Sequence, residues 1–269
     1  MKSSSLPLLL GIVSAFTTTS QAATVFGVNF NAGDTAGNQA DGNFGSTWTN
    51  VNGAASGENL GVNGTSSAVN IDWASSGYWS AGSWMSTSTT PSNAFGTPIS
   101  MMRQYLDDGD AATAGYAADM GVSSSDGIGV TVRLQGMSAW LAAESMTGYT
   151  IRAFYSSDTG SATFRNISAR NGGLVTSTIL ETIAPTVQGN GQWNGTSVDT
   201  GGNSTAGTRG DAVFLSEFTA DTLTLTIESR NGSQRGSLAG FVITAMPEPS
   251  TALLCGIGML GLLRRRRNA

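Results

Sequence analysis

The 269-residue sequence contains no histidine, and its one cysteine, Cys255, lies in an apolar segment near the C-terminus. The chain therefore lacks the imidazole base of serine and cysteine hydrolases and the usual histidine and cysteine ligands of zinc sites. A disulfide within the chain is excluded, because it needs two cysteines. We interpret Cys255 as a small apolar residue of a helix; the alternative is a lipid-attachment or redox role. No catalytic residue and no cofactor are predicted.

Positive charge is also scarce. Residues 23–246 contain no lysine, and eight arginines stand against twelve aspartates and five glutamates, a net charge of −9. Nucleic-acid-binding surfaces need clustered positive charge, so we predict no nucleic-acid partner. Glycoside hydrolysis requires two carboxylates about 5–10 Å apart, but no acidic pair stands in a recognisable motif. We predict that the protein is not an enzyme; a polysaccharide-active enzyme is the alternative.

The N-terminal segment has the three-part organisation of a secretory signal peptide. Lys2 supplies the positive charge, and Leu6–Phe16 forms the apolar region. Small residues then occupy the positions that signal peptidase reads. We predict a signal peptide over residues 1–22, with cleavage after Ala22 or, alternatively, one residue later. A short first strand or a membrane anchor is the other interpretation.

The C-terminal segment, residues 246–269, combines three features in a fixed order. A Pro-Glu-Pro tripeptide is followed by the uncharged run Ser250–Leu263 and then by four consecutive arginines. Fourteen helical residues span about 21 Å, less than the ~30 Å hydrocarbon core. However, arginines on one flank can extend a short span and keep that end cytoplasmic. We predict one short transmembrane helix over Ser250–Leu263, preceded by an extended tripeptide that the prolines hold out of the helix.

This order of features resembles the PEP-CTERM sorting signal of exported bacterial proteins. The resemblance covers about two dozen residues, and the residues that carry it are Pro247, Glu248, Pro249, Arg264, Arg265, Arg266 and Arg267. It implies that an exosortase-type membrane protease is a partner, and the predicted signal peptide adds signal peptidase. It also implies transient anchoring in the inner membrane, with the arginines cytoplasmic, and then delivery to the cell surface or extracellular matrix. Such proteins are commonly linked to exopolysaccharide or biofilm.

Residues 23–245 favour one all-β domain. Short runs alternate between apolar and polar residues, and Asn-Gly dipeptides between them favour tight turns. We predict a two-sheet antiparallel β-sandwich of jelly-roll type. The clearest predicted strands are Ile128–Leu134, Tyr149–Tyr155, Leu223–Ile227 and Gly240–Thr244. Weaker ones are Thr24–Phe30, Thr47–Val51, Val69–Trp73, Ala162–Ile167, Leu174–Leu180 and Ala212–Phe218. A short helix is predicted at Ser138–Glu144 and a long surface loop at Thr186–Gly210.

A second resemblance concerns this domain. Its segments Gly27–Phe30, Trp48–Val51, Met102–Asp108 and Leu238–Ile243 are similar to those of exported PEP-CTERM proteins with galactose-binding-like or laminin-G-like sandwiches. The resemblance implies the fold and supplies no catalytic residue. We predict a non-catalytic surface or matrix protein associated with extracellular polysaccharide; a purely structural matrix protein is a further alternative.

Aromatic side chains provide the first candidate site. Trp73, Tyr78, Trp79 and Trp84 lie within twelve residues, separated by small residues. Exposed indole and phenol rings can stack on the apolar faces of sugar rings, so we predict a glycan-binding platform. The alternative is simple core packing, because large aromatic residues are mostly buried.

An acidic turn provides the second candidate site. Asp108 and Asp110 flank Gly109, and carboxylate oxygens are the ligands that Ca²⁺ prefers. The remaining positions of a full calcium-binding loop are missing. We predict a weak calcium site at these two aspartates; the alternative is a solvated turn.

Overall fold

The computed structural model describes residues 25–31, 47–52, 54–62, 65, 69–80, 104–157, 163–188, 192–193, 196–197 and 208–247. The predicted signal peptide and most of the predicted sorting signal lie outside these residues. In the part of the chain that the structure describes, no helix is long and apolar enough to cross a membrane.

The described residues are mostly in β-strands. The first nine strands are β1 (Val25–Asn31), β2 (Thr47–Asn52), β3 (Ser56–Gly61), β4 (Asn70–Ser75), β5 (Gly77–Ser80), β6 (Gln104–Asp107), β7 (Ile128–Gln135), β8 (Gly148–Ser157) and β9 (Thr163–Phe164). The others are β10 (Ile167–Asn171), β11 (Thr178–Ile183), β12 (Thr186–Gln188), β13 (Gln192–Trp193), β14 (Thr196–Ser197), β15 (Thr208–Val213), β16 (Leu223–Glu228), β17 (Gln234–Arg235) and β18 (Leu238–Met246). The α-helix α1 spans Met137–Ala143, and 3-10 turns span Ala111–Thr113 and Ala118–Met120.

Two large sheets form the fold. Sheet A is ordered β12-β15-β8-β18-β1-β2, and β6, which pairs with β5, also pairs with β18. Sheet B is ordered β11-β10-β16-β7-β4-β3. All pairs in both sheets are antiparallel except β1 with β2, which run parallel. The prediction of an all-β, two-sheet fold is therefore confirmed, while its purely antiparallel character needs this one correction.

The strands are placed by their alternating apolar residues, which meet in one core between the sheets. In β18, Phe241 and Ile243 lie in this core, while Val242 lies on the opposite side of the strand. Phe30 of sheet A approaches Trp73 of sheet B with ring centroids 6.2 Å apart. Because successive side chains of a strand point to opposite faces, the alternation in β18 correctly predicted that Phe241 and Ile243 share the side opposite Val242.

Most predicted elements are present, with shifted bounds in one region. The predicted strand Ala162–Ile167 is divided into the two-residue β9 and the separate β10. The predicted strand Leu174–Leu180 begins only at Thr178. The predicted loop Thr186–Gly210 contains β12 and the β13–β14 hairpin and includes the start of β15. The predicted strand Ala212–Phe218 is replaced by β15, which begins at Thr208 and ends at Val213. These corrections all fall between the start of β9 and Phe218, where apolar alternation is weak.

The outer face of sheet B is partly covered by a second, smaller core. The segment that carries the two 3-10 turns packs Ala111, Ala117 and Met120 against residues of the sheet. Thr131 of β7, which faces outward, is consequently fully buried, and its hydroxyl lies 3.9 Å from the sulfur of Met120. None of the β10 and β11 residues that the structure describes belongs to this second core.

The first described strand, β1, and the last, β18, are neighbours in sheet A. Val25, at the start of β1, is in register with Thr244 near the end of β18. The last residue of β18, Met246, pairs with Gly148, and its carbonyl accepts a hydrogen bond from the Thr147 N–H at 3.1 Å. We call this the terminal end of the fold, and the opposite end, where β18 begins, the distal end.

Candidate functional site

Trp73, one of the four predicted platform residues, lies in the core. Its side chain is 5 % exposed, and its indole N–H donates to the Ala54 carbonyl at 2.9 Å. Gly57, across from it in β3, leaves room for the ring, because an added Cβ would overlap the indole. Trp73 is thus packed as the alternative interpretation described, and its ring is not open for stacking on a sugar.

The other predicted platform residues are only partly described. Tyr78 of β5 is 51 % exposed and is paired with Leu106 of β6. Trp79 is the next residue of the same strand, but its side chain, like the whole of Trp84, lies outside the described residues. Tyr78 is therefore the one predicted platform ring that the structure describes as exposed, and the glycan platform stays a prediction.

Asp108, the first predicted calcium ligand, is buried where β6 ends. Its carboxylate accepts a hydrogen bond from the Gly236 N–H at 2.6 Å, and its other oxygen lies 3.9 Å from the Arg235 guanidinium. Among the described residues, that second oxygen has no hydrogen-bond partner. Burial raises the pKa of Asp108, the Gly236 hydrogen bond opposes this rise, and the neighbouring Asp107 adds to it. The carboxylate thus joins the end of β6 to the segment before β18.

Asp110, the second predicted calcium ligand, has a local structural contact. Its side chain accepts a hydrogen bond from the Ala112 N–H at 2.9 Å and so caps the first 3-10 turn. Among the described residues, no group of three or more acidic, histidine or cysteine side chains is placed to hold a metal ion. The calcium site stays a prediction.

The outer face of sheet B carries a polar row that we did not predict. Asp72, Arg133, Thr224 and Arg170 are aligned in register across β4, β7, β16 and β10. At one end of the row, Asp72 is 1 % exposed and accepts hydrogen bonds from Arg133 Nε and Gln135 Nε2, both at 2.6 Å. In this half of the row, the buried carboxylate of Asp72 is thus neutralised by Arg133 and hydrogen-bonded to both side chains.

Arg170, at the other end of the row, has no such counter-charge. Its Nε donates to Thr226 Oγ1 and its Nη1 to the Ser177 carbonyl, both at 3.1 Å. Among the described residues, no carboxylate lies within ion-pair distance of it. Its half-buried position removes water from the guanidinium and lowers the pKa of Arg170.

No family model, curated protein or solved structure matches this chain.

Polar and apolar groups surround Arg170 on the same face. We call Ser168, Arg170, Ile179, Thr182 and Thr226 the Arg170 face. Ser168 is in register with Thr182 on one side and Thr226 on the other, and the Ser168 and Thr182 hydroxyls are 2.8 Å apart. Ile179 is paired with Arg170 and is 49 % exposed. A cation, a row of hydroxyls and an apolar side chain thus lie side by side.

The sequence held a signal for this face. In Ile167-Ser168-Ala169-Arg170, polar and apolar residues alternate, so Ser168 and Arg170 are expected on one side of a strand. The predicted strand ended at Ile167, and this alternation was therefore not used. The bulge in the β10–β11 pairing between Ala169 and Arg170 further obscures which residues of β11 share the face.

Proposed function

We propose that the protein is an exported, non-catalytic component of the cell surface or extracellular matrix, sorted by its PEP-CTERM-type tail and associated with exopolysaccharide or biofilm. The supporting observation is the position of Pro247. It is exposed and follows directly after Met246, the last residue of β18, which is an inner strand of sheet A. The Pro-Glu-Pro motif therefore starts at an exposed residue directly after this strand, where a protease could approach it.

The route of the chain at the terminal end supports the same proposal. The segment before Val25 and the segment after Met246 leave from neighbouring antiparallel strands. Between Met246 and Ser250, four residue steps span at most roughly 14 Å. A predicted membrane helix that begins at Ser250 would therefore hold the terminal end close to the bilayer. The arginines beyond it would keep the C-terminus cytoplasmic, where anionic lipids attract them.

The buried carboxylates of the body support a non-catalytic role. Asp72 and Asp211 are paired with Arg133 and Arg152 at 2.6 and 2.8 Å. Asp108 accepts the Gly236 N–H. Each of these carboxylates thus has a structural partner inside the fold. We propose that the body is a jelly-roll-type sandwich of the galactose-binding-like kind and that it contacts polysaccharide through its surface.

Fractionation of cells that express the full chain tests the sorting proposal. We expect the precursor in the membrane fraction and the processed form at the surface or in the medium. Replacing residues 264–267 by serine should reduce membrane retention and processing, because the tail loses its cytoplasmic anchor. Replacing the same residues by lysine is the matched control, and it should preserve retention because the charge remains. Equal retention of the serine and lysine variants would contradict the proposal.

The orientation of the domain can be tested separately. Cys255→Ser gives a chain without cysteine, into which one labelling site is introduced at the terminal end, Thr219→Cys, or at the distal end, Ser233→Cys; both positions are exposed. Because β18 has nine residues, the two ends lie roughly 25 Å apart at about 3.3 Å per residue. A quencher attached to lipid headgroups should reduce the fluorescence of a label at residue 219 more strongly than at residue 233. Equal quenching would contradict this orientation.

A further inference from the structure

Most cations of the body that the structure describes have a carboxylate partner. Four arginines are in ion pairs with acidic side chains: Arg133, Arg152, Arg165 and Arg235. Among the other arginines whose side chains are described, Arg230 is exposed and Arg170 is half-buried. An exposed guanidinium is solvated by water, but a half-buried one without a counter-ion bears a desolvation cost. Arg170 is thus the described cation with the most to gain from an anionic ligand.

The contacts of Arg170 leave part of its guanidinium available. Nε and one N–H of Nη1 are engaged by Thr226 and Ser177. These two bonds fix the plane of the group, while Nη2 has no hydrogen-bond acceptor among the described residues. A guanidinium held in place in this way loses little further entropy when it binds a carboxylate through two parallel hydrogen bonds.

The neighbours of Arg170 favour a sugar as the carrier of that carboxylate. The Ser168 and Thr182 hydroxyls, 2.8 Å apart, can exchange hydrogen bonds with sugar hydroxyls. Ile179, 49 % exposed beside Arg170, offers an apolar surface to the face of a sugar ring. A nucleic acid fits poorly, because its closely spaced phosphates need several clustered cations, and Arg170 is the one cation among the residues of this face.

We propose that the Arg170 face binds the carboxylate groups of an acidic, uronic-acid-containing polysaccharide. This inference rests on the proposed association with extracellular polysaccharide and specifies its chemical class. The face lies on the broad side of sheet B, formed by β10, β11 and β16, and not at the terminal end. It therefore remains accessible while the tail holds the terminal end at a membrane.

Binding of the full chain to immobilised polygalacturonate, with dextran as the neutral polysaccharide, tests this inference. We expect binding to polygalacturonate and much weaker binding to dextran. Arg170→Gln should weaken polygalacturonate binding by about tenfold or more, since a hydrogen bond to a charged group is lost. Arg230→Gln is the matched control, because it removes the same charge from an exposed arginine. It should change the affinity by less than about twofold, as expected for an exposed charge distant from the ligand.

Each other outcome has a definite meaning. Equal losses in the Arg170→Gln and Arg230→Gln variants would show non-specific charge attraction and overturn the inference. Binding to dextran that Arg170→Gln leaves unchanged would overturn it too, while still supporting an association with polysaccharide. If Arg170→Gln does not fold, Ile179→Ser on the exposed edge strand β11 replaces it as the test variant. Unchanged polygalacturonate binding of Ile179→Ser would overturn the inference. The fractionation result does not depend on any of these variants, so failure of the sorting proposal remains distinguishable.

Discussion

The Asp72–Arg133 ion pair offers the sharpest test of how the outer face of sheet B is held together. Asp72 is 1 % exposed, and its Oδ1 accepts a hydrogen bond from the Asn59 N–H at 2.7 Å. Its Oδ2 accepts from Arg133 Nε and Gln135 Nε2, both at 2.6 Å. Arg133 also donates from Nη1 to the Gly173 carbonyl at 3.4 Å, which connects the pair to the β10–β11 connection. One carboxylate therefore holds three strands and a loop together.

Asp72→Ala should lower the free energy of unfolding by about 3–5 kcal/mol, because it leaves a partly buried guanidinium without its counter-charge. Since the Arg133 side chain is 19 % exposed, water compensates some of this cost, and we expect the lower end of the range. The measurement is urea unfolding of the full chain in detergent, followed by the fluorescence of the buried Trp73 and Trp140. A loss of this size is a large part of the stability of an ordinary domain.

Two further variants distinguish the ion pair from other effects. Asp126→Ala removes an exposed carboxylate that accepts a hydrogen bond from the Ser123 N–H at 2.8 Å, and it should cost about 1 kcal/mol or less. The double variant Asp72→Leu with Arg133→Met leaves neither charge buried and should recover much of the loss. A loss for Asp72→Ala no greater than that for Asp126→Ala would refute the reasoning.

Three other predictions concern buried and exposed side chains. Tyr155→Phe should not lower the unfolding free energy, because the buried Tyr155 hydroxyl has no hydrogen-bond partner in the part of the chain that the structure describes. Tyr149→Phe should lower it by about 1 kcal/mol, because that hydroxyl donates to a carbonyl at 2.9 Å; equal effects would contradict the assigned contacts. In thermal unfolding, Trp73→Ala should lower the free energy of unfolding by about 3–5 kcal/mol, and Tyr78→Ala should lower it by about 0.5 kcal/mol or less. The reverse order would place Trp73 outside the core. Burial raises the pKa of Asp108 above 3.8, so its stabilising effect is present below pH 3.8 and is lost as the pH rises through the raised pKa. Stability measured against pH should therefore fall relative to Asp108→Asn over that window, and a constant difference would contradict it.

Sequence alternation predicted the strands that have one face in the central core. In β7, Val130, Val132 and Leu134 face the core as the alternation predicts, whereas Ile128, expected on the same face, lies in the smaller second core. The same reasoning could not anticipate that Thr131, on the other side, is fully buried. Its cover comes from the separate segment that contains Met120, and a period of two within one strand carries no information about which distant segment packs on it.

Pairing between distant strands also exceeded what the sequence could predict. β1 and β2 are parallel, with Phe26 opposite Thr47. The residue pattern of each strand nevertheless does not differ from that of the antiparallel strands. Nothing in either run states the direction of its partner. The edge strand β11 is exposed on both faces over Ile179 and Leu180, so it lacks the buried positions that make alternation readable. This is why the Arg170 face emerged only from the structure.

The candidate sites, too, were predictable from local sequence only where no distant contact decides their structure. Composition grouped the aromatic residues around Trp73 as one candidate site, but composition cannot distinguish a buried indole from an exposed one. The acidic turn was found, but the partners of Asp108, Gly236 and Arg235, lie more than a hundred residues away in the chain. Such long-range contacts decide whether a carboxylate is a ligand or a structural acceptor.

The intact mass of the protein recovered from the cell surface or the medium tests the sorting proposal most directly. The account predicts a chain that begins at residue 23 or 24 and ends near Pro247–Pro249, because Pro247 is exposed directly after β18. The domain itself, with β1 and β18 paired at the terminal end, should be complete in this mass. A surface-located or released protein that still carries residues 250–269 would contradict the central claim that the tail is a removable address.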